Sequence, residues 1–168
     1  MQMNQTLAIT PLDEVIPSPL QYGAICWRMH RGKVEVLLIS SRDTGRWVVP
    51  KGWPMDKRSP AEAAQQEAWE EAGVLGEIAE TTIGQFNYVK LLSPNRSCEC
   101  VVQVFALRVS EMVDKFPERK ERRRKWFAAE KAARRVNEPQ LRRLLMGLSA
   151  NFSVEPPELM VEQALATA

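Results

Sequence analysis

The stretch from Trp47 to Val74, WVVPKGWPMDKRSPAEAAQQEAWEEAGV, decides the fold. Trp47-Val48-Val49 joins an aromatic to two β-branched residues and is closed by Pro50, the composition of a short strand. Gly52 and Pro54 then mark a loop. Ser59, Pro60 and Glu62 supply a capping hydroxyl, a proline at the first helical position and a glutamate three residues after the cap. They predict a helix from Pro60 to Ala72 that Gly73 stops. Ala61, Ala64, Ala68 and Ala72 fall near one stripe, which lets the helix pack closely on a sheet. Glu67, Glu70 and Glu71 share another stripe at i, i+3 and i+4, with Cβ atoms about 5–6 Å apart. Like charges so spaced destabilise an isolated helix. A solvated charged face is one reading. The other is a hard divalent cation, which prefers carboxylate and water oxygens. A glycine-containing loop, a capped helix and clustered carboxylates together form an acidic cleft suited to a substrate that carries phosphates.

Upstream, Gln21–Met29 and Val34–Ser40 read as two strands joined by a turn at His30-Arg31-Gly32. The second, VEVLLIS, is almost continuously apolar, as a strand covered on both faces would be. Asp43-Thr44-Gly45 is a turn that delivers Trp47, and Arg42 and Arg46 are long cations near the mouth of the cleft. Lys51, between strand end and loop, is placed to reach a phosphate, while Trp47 suits either a base-stacking or a core position. Downstream, Gly76–Gln85 reads as a strand with Gly84 as a bend or bulge, Phe86–Val89 continues it, and Cys98–Val109 is the longest strand candidate. Met112–Pro117 is a loop expected to close over the site. Trp126-Phe127 is a short last strand, Ala128–Val136 a short helix, and Leu141, Leu144, Leu145 and Leu148 give a helix packed on the sheet. Strands with helices after the loop and at the end make an α/β/α sandwich around a mixed β-sheet.

The segment Gly52–Val74 resembles the Nudix box, the 23-residue loop–helix–loop of the Nudix hydrolases. Gly52 matches its first glycine, Glu67, Ala68, Glu70 and Glu71 its glutamate core, and Gly73-Val74 its closing pair. Two positions depart: Arg58 stands where the family has a glutamate, and Gln66 where it has an arginine that holds the helix glutamates. Acid and base are lost together, a paired drift. Ser40-Ser41-Arg42 and Arg46–Pro50 are similar to the approach to the box in diphosphoinositol polyphosphate phosphohydrolases, as is Arg123-Arg124-Lys125 before Trp126-Phe127. Pro50-Lys51-Gly52 fits the diadenosine polyphosphate hydrolases equally well. The likeness covers about residues 20 to 148.

What the resemblance implies is a Nudix-type α/β/α sandwich and hydrolysis of a diphosphate or polyphosphate linkage. Its cofactor is Mg²⁺, with Mn²⁺ as a substitute, held by Glu67, Glu70 and Glu71 and completed by the carbonyl of Lys51 or the loop at Gly52. The catalytic base is expected at Glu70 or Glu71 within that glutamate set. Phosphate ligands are expected at Arg42, Arg46, Lys51, Arg123, Arg124 and Lys125. The partner is a small phosphorylated molecule, a nucleoside or inositol polyphosphate. The competing reading is a non-catalytic phosphate- or RNA-end-binding module on a degenerate Nudix fold, with Arg58 and Gln66 having disabled the metal site.

A chain of 168 residues, 45% apolar and 26% charged, fits one soluble domain. Residues 1–19 read as an arm with a short edge strand at Thr6–Thr10, 20–150 as the domain, and 151–168 as a tail in which Glu158–Ala166 suits a short docked helix. No apolar run approaches membrane-spanning length, and no basic-then-apolar export segment begins the chain, so a cytoplasmic location and no membrane partner are expected. His30, the one histidine, excludes a histidine-rich metal centre. Cys26, Cys98 and Cys100 lack metal-ligand grouping, and Cys98 and Cys100, on one face of a strand, are too close for an easy disulfide and read as buried or half-buried. The net charge of +2 hides an asymmetry: Glu67–Glu80 holds five acids and no base, and Lys115–Arg135 ten bases against three acids. An acidic cleft beside a basic segment suits a polyphosphate. Without interleaved aromatics, a nucleic-acid partner is not expected of the basic run.

Overall fold

The computed structural model describes residues 18–151. The arm with its expected strand at Thr6–Thr10 and the expected tail helix at Glu158–Ala166 lie outside the described residues. The chain forms an α/β fold in which three helices pack on a mixed sheet. The core strand β1 (Leu20–His30) runs parallel to the long β7 (Arg96–Met112) and antiparallel to β2 (Lys33–Ser40). The β1–β2 hairpin turns on Arg31-Gly32, both at positive φ (50° and 72°), the twist-matched geometry for a two-residue loop. His30 is therefore the last paired residue of β1, opposite Lys33.

Two short strands, β3 (Trp47–Val48) and β4 (Lys51–Gly52), position the site. Val36 pairs with β1 on one side and with β8 (Arg124–Ala128) on the other, whereas Ile39 keeps β8 but has β3 in place of β1. Gly23 likewise keeps β7 and takes β4 in place of β2. β1 and β2 thus splay apart like a fork, and Trp47–Gly52 fills the wedge. The single strand expected there is two, with Val49-Pro50 between them; Pro50, which has no N–H, accepts through its carbonyl from Ala24 N–H at 3.0 Å.

The helix α1 spans Pro60–Ala72, as its signals predict. Ser59 Oγ accepts from Glu62 N–H at 3.1 Å, and Glu62 Oε2 accepts from Ser59 N–H at 2.7 Å, a complete reciprocal cap. Gly73 sits at φ 63°, and a Cβ there would come within 2.3 Å of the Phe116 ring. Ser59→Ala should cost about 1 kcal/mol, read in thermal unfolding as a midpoint lowered by about 2–4 °C. Turnover should hold, because Ser59 caps the helix end remote from the glutamates.

The sheet's strict alternation builds two cores. Ala24, Cys26, Leu37, Ile39, Phe105 and Leu107 face the alanines of α1. Ile25, Trp27, Val36, Leu38, Phe86, Val102 and Val104 face the other layer, α2 (Ala129–Arg135) and α3 (Pro139–Asn151), through Ala132, Ala133, Leu141 and Leu145. Gly76–Gln85 is not one strand: β5 (Val74–Ile78) and β6 (Gly84–Ser93) follow one another along β7, and the chain between them loops out. Ala79 N–H still bonds Ala106 O and Ile83 N–H bonds Val104 O, while Thr82 Oγ1 donates to Val104 O, so the bulge costs little hydrogen bonding. None of the described helices is long and apolar enough to cross a membrane.

Candidate active site

Helix α1 sets the three glutamates against the wedge. Gly52 belongs there for a steric reason, since a Cβ at that position would lie 2.0 Å from Glu67 Oε1. Glu71 is buried; its Oε2 accepts from the Lys51 backbone N–H at 3.3 Å and its Oε1 from Arg122 Nη2 at 3.1 Å. Glu70 Oε1 accepts from Gln66 Nε2 at 2.9 Å. Gln66 therefore braces a helix glutamate by hydrogen bond. Arg58 lies exposed on the loop before α1.

Glu118 is a fourth carboxylate that sequence reading did not find. The segment expected to close over the site instead docks on the end of α1: Val113 N–H bonds Gly73 O at 2.8 Å, and Glu118 N–H bonds Glu70 O at 3.0 Å. That anchoring brings Glu118 Oε1 to 3.4 Å from Arg122 Nη2 and 3.2 Å from Arg42 Nη1. Arg122 Nη1 donates to Ser40 O at 3.1 Å, so its guanidinium is clamped between the sheet and two acids. The sequence signal for Arg122 was the basic run itself. Nothing in that run distinguishes Arg122 from its neighbours until the strand register is known.

Cations gather on the other wall of the cleft, lined by Arg42, Arg46, Lys51, Lys90 and Arg122 together with Gln21, Tyr88 and Glu71. Lys51 holds its ammonium 4.6 Å from the Tyr88 ring centre, and burial, opposed by Glu71 but reinforced by Arg46, Arg122 and Lys90, pulls its pKa below the ordinary lysine value. Tyr88 Oη donates to Gln21 Oε1 at 2.6 Å. Arg46 pairs with buried Glu138 at 2.6 Å, tying the β2–β3 loop to the start of α3.

Of the six expected phosphate ligands the fold brings Arg42, Arg46 and Lys51 to the cleft, sets Arg123 in the adjoining groove with Arg42 and Arg122, and turns Arg124 and Lys125 elsewhere. Arg123 lies over Trp47. Arg124 donates to Ala72 O and Val113 O at 3.0 and 2.8 Å and pairs with Asp114. Lys125 lies over Phe127. Alternation along β8 sends consecutive residues to opposite faces, so three neighbouring cations cannot serve one site. Trp47 meets Phe127 edge-on at 5.2 Å and is part of the packing, whereas Trp69 lines a separate groove with Gln66 and Val74.

Electrostatics test whether these residues suit a metal. Among the described residues, no three His, Cys, Asp or Glu side chains already converge as a metal centre. The donor set nevertheless fits a hard cation. Burial, then repulsion from Glu71, Glu70 and Glu118, pushes the Glu67 carboxyl up to about 7, and Arg122 offsets only part of this. Burial likewise pushes Glu71 up to about 7 against the pull of Arg122 and Lys51. Folding therefore penalises the ionised form of both. Without metal, their contribution to stability is fully present below about pH 4.5 and lost as pH rises through about 7. Thermal unfolding in a chelator should show the midpoint falling from pH 5 to pH 8, and millimolar Mg²⁺ should restore it at pH 8 but not at pH 5.

The family model described as NUDIX domain matches residues 19–147. Nudix hydrolase 12, mitochondrial, of Arabidopsis thaliana is 39% identical over 103 residues, 60% of this chain and 51% of that protein. Diphosphoinositol polyphosphate phosphohydrolase 3-alpha of Homo sapiens is 31% identical over 112 residues, 66% of this chain and 64% of that protein. The chain spans about half the length of the Arabidopsis relatives it matches. Among solved structures, a C. elegans Ap4A hydrolase binary complex superimposes with a TM-score of 0.60 at 22% identity, covering 80% of this chain and 98% of that one. The E. coli dihydroneopterin triphosphate pyrophosphohydrolase does so with a TM-score of 0.60 at 16% identity, covering 79% and 96%. At these identities the superpositions establish the fold alone.

Proposed function

The chain belongs to the NUDIX domain family, and from that premise we propose that it is a divalent-metal-dependent hydrolase of phosphoanhydride bonds, acting on a small polyphosphate in the cleft between α1 and the β2–β3 loop. One observation carries the reading. Glu71 lies where a cluster of acids meets a cluster of bases: Glu67, Glu70 and Glu118 on one side, Arg46, Lys51 and Arg122 on the other. A phosphoanhydride needs both, metal oxygens at the bond that breaks and fixed cations on the phosphates that leave or stay.

Glu67, Glu70 and Glu71 are the groups that would hold Mg²⁺ or Mn²⁺, with the Lys51–Gly52 backbone beside them. The bound ion would supply Lewis-acid polarisation and a more acidic water. Arg122 holds Glu71 and Glu118 in place; Arg46 and Lys51 present positive charge to the substrate. Glu70, braced by Gln66, and Glu71 are the candidates to take the proton from water. The bond between Gln66 and Glu70 supports an active site over a degenerate binding module, because the departure from the family motif leaves the glutamate braced.

The substrate class is an inositol pyrophosphate or a dinucleoside polyphosphate. The basic wall suits either, and the half-buried Tyr88 beside it would favour a nucleoside end. Phosphate release should be measured with and without Mg²⁺ against diadenosine polyphosphates, nucleoside diphosphate derivatives and inositol pyrophosphates. Turnover that vanishes in EDTA and returns with Mg²⁺ is expected. Failure on the whole panel with both Mg²⁺ and Mn²⁺ would overturn the hydrolase reading.

A further inference from the structure

Behind the Tyr88 wall of the cleft lies a pair of thiols that the hydrolase reading does not use. Cys98 and Cys100 are two apart on β7, so both point to one face of the sheet. Their Sγ atoms are 3.6 Å apart. In the β6–β7 ladder Lys90 stands opposite Cys98 and Tyr88 opposite Cys100, and opposed residues share a face. The Cys100 side chain stands opposite Tyr88 on the same face, and the Tyr88 hydroxyl donates to Gln21 while its ring lies beneath the Lys51 ammonium. Cys98 is half-buried, open enough for a small solute, while Cys100 is buried behind it.

We propose that Cys98 and Cys100 form a dithiol that hydroperoxides oxidise reversibly to an intrastrand disulfide, coupled through Tyr88 to the cleft. The sulfur of Cys98 attacks the peroxide oxygen, the O–O bond breaks, and water leaves with a sulfenic acid on Cys98. The sulfur of Cys100 then attacks Cys98, the S–S bond forms as the S–O bond breaks, and the departing hydroxide leaves as a second water with the Cys100 proton. Two thiols are oxidised and one hydrogen peroxide is reduced to two waters. Extended residues two apart on one face have both Cα and Cβ atoms roughly 6.4–6.8 Å apart, whereas a disulfide needs Cβ atoms about 3.5–4.5 Å apart, so closing the bridge must bend β7 locally out of its ladder with β6. The bridge is therefore strained, and a strained bridge is readily reduced, which suits a switch better than a permanent staple. Closing it draws Cys100 off Tyr88 and so loosens the group that seats Lys51.

The coupling to the cleft rests on the proposed hydrolase function, but the thiol chemistry does not. Cys26 gives an internal control: it is fully buried, with its thiol pushed up to about 12, and should stay silent in the native protein. In the full-length native protein a thiol reagent should label Cys98 and leave the fully buried Cys26 and Cys100 unlabelled, and the Cys98 label should vanish after a stoichiometric dose of hydrogen peroxide. The tryptic peptide 97–108, which holds both cysteines, should lose two hydrogens and regain them with dithiothreitol. Cys100→Ser should abolish that loss. Gain of two oxygens on the peptide, a disulfide-linked dimer, or no change would overturn the site. The oxidised protein should also show a several-fold higher KM for the polyphosphate at unchanged kcat, and an unmoved KM would overturn the coupling. If no substrate is ever turned over, the peptide mass still decides the thiol chemistry, so the two readings fail separately.

Discussion

Glu67→Gln should lower kcat by about 10³-fold while making the metal-free protein more stable at pH 8. The two effects have one cause. Glu67 is held against Gly52 with Glu71, Glu70 and Glu118 nearby, and its carboxyl is pushed up to about 7 by burial and that repulsion. At pH 8 it is ionised and strains the fold; the amide keeps the shape and discards the charge. Glu67 is only half-buried, so solvent screening leaves about 1 kcal/mol of gain, or about 2–4 °C in the unfolding midpoint. Below about pH 4.5 the carboxyl is protonated in both states and the gain should vanish. With Mg²⁺ the order should reverse, because the wild type gains binding free energy that the variant forgoes. Glu70→Gln should match the loss of turnover. A Glu67→Gln protein that is less stable than wild type in chelator at pH 8 would mean that Glu67 is a structural residue rather than a metal ligand.

How much of this was legible in the sequence follows from how far each signal reaches along the chain. The ends of α1 were readable because caps are local: Ser59, Pro60, Glu62 and Gly73 act within a turn of themselves. The alanine stripe and the glutamate stripe followed from helical period alone, and both faces fall as expected. The fork between β1 and β2 was not legible, because it depends on which strand pairs with which over distances the sequence does not encode locally. The break between β5 and β6 was legible only at Gly84, which marks a bend where β6 begins; the loop before it keeps strand-like composition. The expected phosphate ligands divide at the same scale. Arg42, Arg46 and Lys51 flank the box in sequence and reach the cleft, whereas Arg123–Lys125 were chosen from a run whose faces only the pairing of β8 with β2 can assign. Arg122 stands one residue before them and was overlooked. Glu118 was overlooked for the same reason, since a hydrogen bond to the end of α1, and no motif, brings it in.

Arg122→Met carries the second large effect and tests the residue that sequence reasoning missed. Its guanidinium serves Glu71, Glu118 and the Ser40 carbonyl at 3.1, 3.4 and 3.1 Å, and its side chain is 8% exposed against 9% for Glu71. Methionine fills the space and leaves two acids without that counter-charge in a buried setting, a loss of about 3 kcal/mol at pH 8, or roughly 6–12 °C in the midpoint. The loss must depend on pH. Burial already pushes Glu71 up to about 7 with Arg122 pulling it down, so without Arg122 it takes up its proton at still higher pH. A neutral carboxyl needs no cation, and the stability difference between wild type and variant should shrink as pH falls from 8 to 5. Equal destabilisation at both values would assign the effect to packing rather than charge. Turnover should fall by about 10²-fold, as for a residue that orients ligand-bearing groups without touching the reacting atoms. Arg122→Lys keeps the charge but loses the planar fork that reaches the acids and Ser40 O at once, and should recover most of the stability at pH 8 but less of the turnover. That separation distinguishes a charge needed only to hold the fold from a fork needed to aim Glu71.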